Sequence, residues 1–342
     1  MKRILLSLFF GVLFCTSCTS QDNDDNSSII VKRLTNDKGK HQAFTDLVFF
    51  NNQFFLVFRE SDSHALGTDG IVKMLSSSDG KKWTLIKEFN VSGIDLRDPK
   101  FSQNNGKLML YIHGSTYTNK ELTGFSDYIS YYSSTSGWKE LKSVVLDNVK
   151  DSQSKTQGNQ AWPWRITWFE NKAYSVGYNL NGIFDLYVSN DGEFFRKTNV
   201  FKKITNLPNE ATIRISKNGE FFILARRSSG SAIIGKSKKP ELEWDWFGEI
   251  PVTSFGGPNF LLLDQNKMLV SGREGQRLIL GVYDVELNKY KKLLELPSGG
   301  DCSYAGMILK DNILWMSYYS AHENQYGTSI YLSQIDLNTL DI

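Results

Sequence analysis

The chain has 342 residues, and its 39 lysines and arginines nearly balance its 37 aspartates and glutamates, giving a formal net charge of +2 at pH 7. The charges form no basic block, which argues against nucleic acid as a partner. Only one of the three cysteines, Cys302, lies beyond residue 18, so an intramolecular disulfide in the remaining chain is excluded. Aromatic residues make up 13 % of the sequence, a share that suits a β-sheet core and a sugar-binding surface alike.

The N-terminus predicts export. A short basic start is followed by an apolar run, residues 4–14, that is too short to span a bilayer and ends in Cys15-Thr16-Ser17-Cys18. This segment resembles the signal peptide and lipobox of bacterial lipoproteins, which implies that residues 1–18 direct export and that Cys18 is lipidated. An ordinary secretory signal is the alternative. Residues 19–28 are polar and acidic, and they predict a disordered tether.

The tether resembles the surface-export signal of Bacteroidetes lipoproteins. This resemblance implies an outer-membrane lipoprotein exposed at the cell surface, with a periplasmic location as the alternative. We expect a monomer without a cofactor.

A repeat organises the rest of the chain. Six segments share a polar residue, a short apolar strand, an Asn/Asp/Gly turn and a second apolar strand that ends in a polar residue. Such turns between β-rich runs predict hairpins, because glycine and asparagine tolerate positive φ. The six hairpins span residues 44–59, 97–113, 164–178, 210–227, 259–273 and 304–319.

Each hairpin is followed by a third strand and, except in the last unit, by a fourth. Six units of four strands predict an all-β fold, a six-bladed β-propeller. The last unit is one strand short, and residues 29–32 are predicted to supply it by pairing the two termini. Residues 29–342 therefore form a single predicted domain.

Two turns share the pattern S-x-D-G-x-x-aromatic, at residues 77–83 and 189–195. In such a turn the aspartate caps backbone N–H groups, the glycine supplies positive φ and the aromatic side chain packs under the blade. The pattern resembles the Asp-box (BNR repeat) of sialidases, and it informs the fold rather than the chemistry.

The polar residues that open the hairpins are predicted to converge on one mouth of the axis, because inner strands meet there in a propeller. A site of arginines, carboxylates and a tyrosine suits an anionic or heavily hydroxylated ligand. The alternative is that these side chains merely solvate the mouth and pair with one another. The residues are Asp46, Arg97 or Asp98, Arg165, Glu210, Asn259 and Tyr304, with Arg59, His113, Tyr178, Arg226 and Arg273 at the ends of the second strands.

The second half of the chain resembles the sialidase family. The likeness rests on residues 209–226, on Ser271-Gly272-Arg273 and on the segment around Ser303-Tyr304-Ala305. The loop after Arg59, with Asp62, His64 and Asp69, occupies the place of the sialidase acid/base loop. The resemblance implies that Tyr304 is the nucleophile, Glu210 its base and Asp69 the general acid and base. It also implies that Arg226 and Arg273 bind an anionic group.

The first inner strand departs from the sialidase pattern, because residues 41–46 contain no arginine. Arg59 or Arg165 could substitute, whereas Asp46 would repel a substrate carboxylate. We therefore predict a sialidase-like, exo-acting glycoside hydrolase that cleaves a terminal sugar, acidic or not, from a glycan. Substrate binding is assigned to Arg226, Arg273, Arg59, Arg165, Asp46, Asp98, Asn259 and His64.

Two alternatives remain open at this stage. One is a glycan-binding propeller without catalysis. The other is an arabinanase-like inverting site built from Asp46, Asp98 and Glu210, which requires well-separated carboxyl groups. A metal site is not predicted, because His64, His113 and His322 fall in separate units.

Overall fold

The computed structural model describes residues 29–36, 39–147, 157–202, 204–324 and 326–342. The predicted signal peptide, Cys18 and the tether of residues 19–28 lie outside these residues. The described chain is built of strands, with one short 3-10 helix at Leu337–Thr339. No helix in this part of the chain is long and apolar enough to cross a membrane. The predicted all-β, six-bladed propeller is confirmed.

Three blades are regular, with four antiparallel strands that pair in chain order. Blade 1 contains β2 (His41–Phe50), β3 (Gln53–Ser61), β4 (Ile71–Ser77) and β5 (Thr84–Phe89). Blade 4 contains β17 (Pro208–Ile215), β18 (Phe221–Arg227), β19 (Gly230–Ser237) and β20 (Asp245–Thr253). Blade 5 contains β21 (Gly256–Leu262), β22 (Lys267–Glu274), β23 (Arg277–Asp284) and β24 (Lys289–Glu295).

Blades 2 and 3 are joined, because their outermost strands pair in parallel, with Val145 opposite Phe194 and Leu146 opposite Phe195. Blade 2 contains β6 (Asp95–Asn104), β7 (Lys107–Thr118), β8 (Glu121–Ser133), the short β9 (Gly137–Trp138) and β10 (Lys142–Leu146). Blade 3 contains β12 (Trp162–Pro163), β13 (Thr167–Phe169), β14 (Lys172–Tyr178), β15 (Phe184–Ser189) and β16 (Phe194–Lys197), and β11 (Gln157–Gly158) pairs with β8.

Blade 6 closes the ring with both ends of the chain. It contains β25 (Cys302–Lys310), β26 (Ile313–Ser320), β27 (Ser329–Asp336) and β1 (Ile29–Arg33). The N-terminal strand pairs antiparallel with β27, with Ile29 opposite Ile335 and Arg33 opposite Tyr331. The predicted closure by the terminal strands is therefore correct.

The core is divided among the blade interfaces. Six apolar clusters are found among the described residues, one between each pair of neighbouring blades. Alternate residues of each strand face the two neighbouring interfaces, which is why the strands read as nearly continuous apolar runs.

Hydrogen bonds also link the six inner strands around the axis. In each link a side chain of one inner strand bonds the backbone of the next, over 2.7–2.9 Å. The links are Asp46 to Phe101, Ser102 to Ile166, Thr167 to Ile213, Thr212 to Pro258, Asn259 to Ala305 and Thr45 to Tyr304. They hold the strands that carry the site residues in one rigid ring.

The two S-x-D-G turns have the predicted geometry. The Oδ1 atom of Asp79 accepts from the backbone amides of Lys81 and Lys82, at 2.7 and 2.9 Å, and Asp191 forms the equivalent pair of bonds. These amides lower the pKa of Asp79 to about 2. Gly80 has φ +71°, and a Cβ there would lie 2.4 Å from the Trp315 ring. Each turn is therefore fixed by both its aspartate and its glycine.

Candidate active site

Bulges in the inner strands direct side chains towards the axis. In five of the six blades the inner strand loses register with its neighbour over two residues at the same height, at 44–45, 98–99, 209–210, 257–258 and 304–305. In blade 3 the inner strand is broken into β12 and β13 at this level. Asp98 and Tyr304 have positive φ, +47° and +56°, a conformation that is costly for residues other than glycine and common at functional sites.

Tyr304 and Glu210 meet at the centre of the site. The Tyr304 hydroxyl donates to Oε1 of Glu210 at 2.6 Å. The same oxygen accepts from Nη1 of Arg226 at 2.8 Å, and Oε2 accepts from the backbone amide of Gly257 at 2.7 Å. The sequence analysis predicted these three side chains together, and the structure brings them into one hydrogen-bonded group.

Burial keeps the Tyr304 phenol neutral. It raises the pKa of Tyr304 well above 10, and the negative charge of Glu210 raises it further. A neutral phenol is a weak nucleophile unless a neighbouring base removes its proton as it reacts. Glu210 is placed to do so.

Asp98 and Lys100 are two buried ionisable side chains close to this group. Burial raises the pKa of Asp98, and its Oδ1 atom has no hydrogen-bond partner among the described residues. The ammonium group of Lys100 donates to the Thr45 carbonyl at 3.2 Å and lies 5.9 Å from the centre of the Tyr304 ring. Burial lowers the pKa of Lys100 to about 8.

Lys100→Met should remove a pH dependence of stability. Between pH 8 and 10.5 the unfolded chain binds more protons at Lys100 than the folded chain, so the free energy of unfolding rises with pH in this range. The rise from this one group is about 3 kcal/mol in total. Urea unfolding at pH 7.5 and pH 10 should show a smaller increase in the variant than in the parent or in the surface variant Lys87→Met. Equal increases would contradict the prediction.

A second group of side chains surrounds Asp301, which precedes Tyr304 by three residues. Its Oδ2 atom lies 2.7 Å from Nε2 of His41 and 2.8 Å from Nδ1 of His64. Its Oδ1 atom accepts from the Tyr319 hydroxyl at 2.8 Å and lies 3.6 Å from Arg273. Burial alone would raise the pKa of Asp301, but the bonds from the two histidines hold it well below its usual range.

These residues also form the one potential metal-binding group among the described residues. The ligand atoms of His41, His64 and Asp301 lie within 4.8 Å of one another. Both ring nitrogens contact the same carboxylate oxygen, and the guanidinium of Arg273 beside that carboxylate disfavours a cation. We therefore interpret the group as a hydrogen-bonded cluster.

The structure gives Asp46, Arg165 and Asn259 a different setting from the predicted mouth. Nη1 of Arg165 contacts both carboxylate oxygens of Asp46, at 3.1 and 2.9 Å, and Asp46 also accepts from the Phe101 amide. Asn259 bonds the Ala305 carbonyl and Arg214. Asp46 and Asn259 take part in the links between inner strands, and Arg165 binds Asp46 from blade 3.

Asp69 and Arg59 are also placed differently from the prediction. The Oδ2 atom of Asp69 accepts from the Gly93 amide at 3.0 Å, and the side chain is exposed. No described contact joins Asp69 to Tyr304 or Glu210. Arg59 is fully buried and donates to Asp95 at 2.7 Å.

The repeat does not point to Asp301, His41 or Lys100. None of the three opens a hairpin, so the repeat gave no reason to select them. A weak signal existed for Asp301 and His41, since each stands at the entry to an inner strand, directly before or at its first residue.

A cavity of about 1040 Å³ adjoins the site on the side of blades 3 and 4. Glu210 and Arg226 form part of its wall, together with Asn209, Leu180 and Phe184. Amide groups beside apolar surface suit the hydroxyls and the C–H faces of a sugar.

Comparison with known proteins supports the fold. No family model and no curated protein sequence matches the chain. Among solved structures, it is similar to Trypanosoma rangeli sialidase in complex with the inhibitor DANA, with a TM-score of 0.65, 12 % identity and coverage of 86 % of this chain. It is also similar to phage phi92 endosialidase, with a TM-score of 0.71, 10 % identity and coverage of 92 % of this chain and 70 % of that chain.

A third similar structure is NanB with optactamide, with a TM-score of 0.65, 12 % identity and coverage of 90 % of this chain and 71 % of that chain. The chain spans about half the length of the Trypanosoma rangeli protein, 55 %. At these identities the likeness establishes a sialidase-like fold.

Proposed function

We propose that the protein is a glycoside hydrolase that removes a terminal sugar from a glycan. One observation carries the proposal: the Tyr304 hydroxyl, at the axis of a sialidase-like fold, donates to Glu210 at 2.6 Å. A buried tyrosine bonded to a carboxylate that is itself held by an arginine and a backbone amide is a nucleophile with its base.

The chemistry follows from this pair. The Tyr304 oxygen attacks the anomeric carbon while its proton passes to Glu210, and the glycosidic bond breaks. Water then releases the sugar, and Tyr304 recovers its proton from Glu210. Arg226 keeps Glu210 oriented through both steps, because its guanidinium contacts the carboxylate and the Ser254 hydroxyl.

The charges favour an uncharged terminal sugar. Four arginines around the site each lie within 3.6 Å of a carboxylate, which offsets the positive charge that would attract a substrate carboxylate. The pairs are Arg59 with Asp95, Arg97 with Asp98, Arg226 with Glu210 and Arg273 with Asp301. Nε of Arg97, Nε of Arg226 and Oδ1 of Asp98 have no hydrogen-bond partner among the described residues, and all three atoms are buried. A sugar hydroxyl can bond them only if the side chains around them move on binding.

The same groups would serve a glycan-binding protein without turnover, which is the second candidate. The inverting arrangement receives no support, because Asp46 is bound to Arg165 and to the Phe101 amide.

We also propose that Cys18 is lipidated and places the site outside the cell, which mass spectrometry of the mature N-terminus can test.

Glu210→Gln should strongly reduce hydrolysis, because an amide cannot accept the Tyr304 proton. A panel of 4-methylumbelliferyl glycosides of neutral sugars, uronic acids and sialic acid identifies the substrate of the parent. On that substrate we expect kcat/KM to fall by roughly 10²–10⁴.

The matched control is Glu249→Gln, which changes a carboxylate that pairs with Arg227, the neighbour of Arg226, away from the site. It should leave hydrolysis unchanged. A parent that binds glycans on an array but turns over none of them would support the binding protein instead.

A further inference from the structure

The loop that follows β3, residues 62–70, carries His64 to the edge of the site. We propose that His64 is the general acid and base of the reaction, positioned by Asp301, and that it takes the role which family resemblance gives to Asp69. The inference rests on the proposed glycosidase function.

Asp301 fixes the orientation of the His64 ring. Its ionised carboxylate accepts from Nδ1–H of His64, at 2.8 Å, which leaves Nε2 as the nitrogen for proton transfer. The same oxygen accepts from His41, whose side chain is 8 % exposed, whereas that of His64 is 49 % exposed. His64 is therefore the histidine of the pair that a substrate can reach.

Two buried guanidinium groups hold the loop. Nη1 of Arg59 donates to the Ser63 carbonyl at 2.9 Å, and Nη2 of Arg97 donates to the His64 carbonyl at 3.3 Å. The side chain of Asp62 accepts from the Thr68 amide at 2.8 Å and closes the loop on itself. A catalytic side chain needs such fixed support, because small displacements are costly in rate.

The rings of His64 and Tyr304 both pack against the ring of the buried Phe44. The ring centroids of His64 and Tyr304 are 5.2 and 5.1 Å from that of Phe44, so the two are no further apart than the sum of these distances. A sugar that binds between His64 and Tyr304 can therefore contact both. Blades 1 and 4 face each other across a six-bladed ring, so His64 and Glu210 approach such a sugar from opposite sides.

Charged groups and a second histidine surround His64. Asp301 faces its ring, His41 lies 5.2 Å away between ring centroids, and Arg59, Arg97 and Arg273 bind the loop or lie beside Asp301. Burial lowers the pKa of His41, although Asp301 opposes this, so His41 stays neutral at pH 7. The carboxylate of Asp301, 2.8 Å from Nδ1 of His64, then stabilises the positive charge of the His64 imidazolium.

The other carboxylates are less well placed for this role. Asp69 is bound to the Gly93 amide at the far end of the loop. Asp98 is 4 % exposed and lies beside Arg97. It is therefore away from the solvent into which the leaving alcohol departs and from which water arrives.

The proton transfers balance in two steps. In the first, Nε2–H of protonated His64 gives its proton to the departing glycosidic oxygen while Tyr304 bonds the anomeric carbon and Glu210 receives the phenol proton. In the second, neutral His64 takes a proton from water, the hydroxide bonds the anomeric carbon, and the bond to Tyr304 breaks as Glu210 returns its proton. One water is consumed and the enzyme is restored.

His64→Gln tests the role, with two substrates of the sugar that the parent prefers. On the natural glycan, whose leaving group needs a proton, kcat/KM should fall by roughly 10²–10⁴. On the 2,4-dinitrophenyl glycoside, whose leaving group does not, kcat/KM should change less than about tenfold, while kcat falls because the second step lacks its base. Sodium azide should then restore kcat and yield a glycosyl azide.

Asp301→Asn tests the positioning role of Asp301, and Asp69→Asn is the matched control. Asp301→Asn should displace the basic limb of the pH profile of kcat/KM, and Asp69→Asn should leave kcat/KM for both substrates unchanged. The ¹⁵N chemical shifts of His64 should show Nδ1 protonated in the parent, and this preference should weaken in Asp301→Asn.

Several outcomes would overturn the inference. If Tyr304→Phe abolishes turnover but His64→Gln preserves it, the role of His64 is overturned and the proposed function stands. The role of His64 is also overturned if Asp69→Asn or Asp98→Asn shows the pattern expected of His64→Gln, a large fall in kcat/KM on the natural glycan and a small one on the 2,4-dinitrophenyl glycoside. Activity lost on dialysis against EDTA and restored by Zn²⁺ or Mn²⁺ would make the cluster a metal site instead. A parent without turnover on any substrate would overturn the proposed function and this inference together.

Discussion

Tyr304→Phe is expected to reduce kcat/KM on the best substrate by at least roughly 10³-fold, because it removes the atom that would form the covalent bond to the sugar. The change removes one oxygen and little else. Glu210 keeps its bonds from Arg226 and from the Gly257 amide, so the variant should fold as the parent does. Substrate binding should survive, which places the loss in kcat.

Tyr318→Phe is the matched control, since its hydroxyl donates to the Pro297 carbonyl at 2.9 Å, in the connection between blades 5 and 6 and outside the site. It should retain full activity. A 2-deoxy-2-fluoro glycosyl fluoride of the preferred sugar should trap the intermediate, and peptide mass spectrometry should locate the adduct on Tyr304. An adduct on another residue, or a Tyr304→Phe variant within tenfold of the parent, would contradict the assignment.

Local signals made the fold predictable. Each hairpin carries its own Asn/Gly turn, and the six-fold recurrence of the unit needs no knowledge of long-range contacts. The terminal closure followed from a simple count, because the last unit lacked one strand and the N-terminus offered one. Tyr304, Glu210 and Arg226 followed from their places in the repeat and from the family resemblance.

The remaining parts of the site depend on contacts that have no local signal. Asp301 meets His41 and His64 across 260 and 237 residues, and the meeting requires the conformation of a loop held by two arginines. Asp46 meets Arg165 across 119 residues. The bulges decide which side chain of an inner strand faces the mouth and which faces the neighbouring strand, and a bulge at a non-glycine residue such as Tyr304 leaves no mark in the sequence.

Asp95→Ala is expected to cost about 3–5 kcal/mol of the free energy of unfolding, because it removes the partner of a buried charge. The side chain of Arg59 is fully buried and donates to Oδ1 of Asp95 at 2.7 Å, and the same oxygen accepts from the Gly70 amide at 3.0 Å. A buried guanidinium without its carboxylate keeps the full cost of leaving water. Urea unfolding followed by tryptophan fluorescence measures the loss.

Glu140→Ala is the matched control for this pair. Glu140 bonds Lys87 at the same distance, 2.7 Å, but its side chain is 89 % exposed, so its removal should cost less than about 1 kcal/mol. The double variant Arg59→Met/Asp95→Leu should regain part of the loss of Asp95→Ala, because it removes both charges and retains apolar contacts. Equal small losses in Asp95→Ala and Glu140→Ala would show that the Arg59–Asp95 pair contributes no more than a surface ion pair. In that case Arg97, through its bond to the His64 carbonyl, would be the residue that fixes the His64 loop.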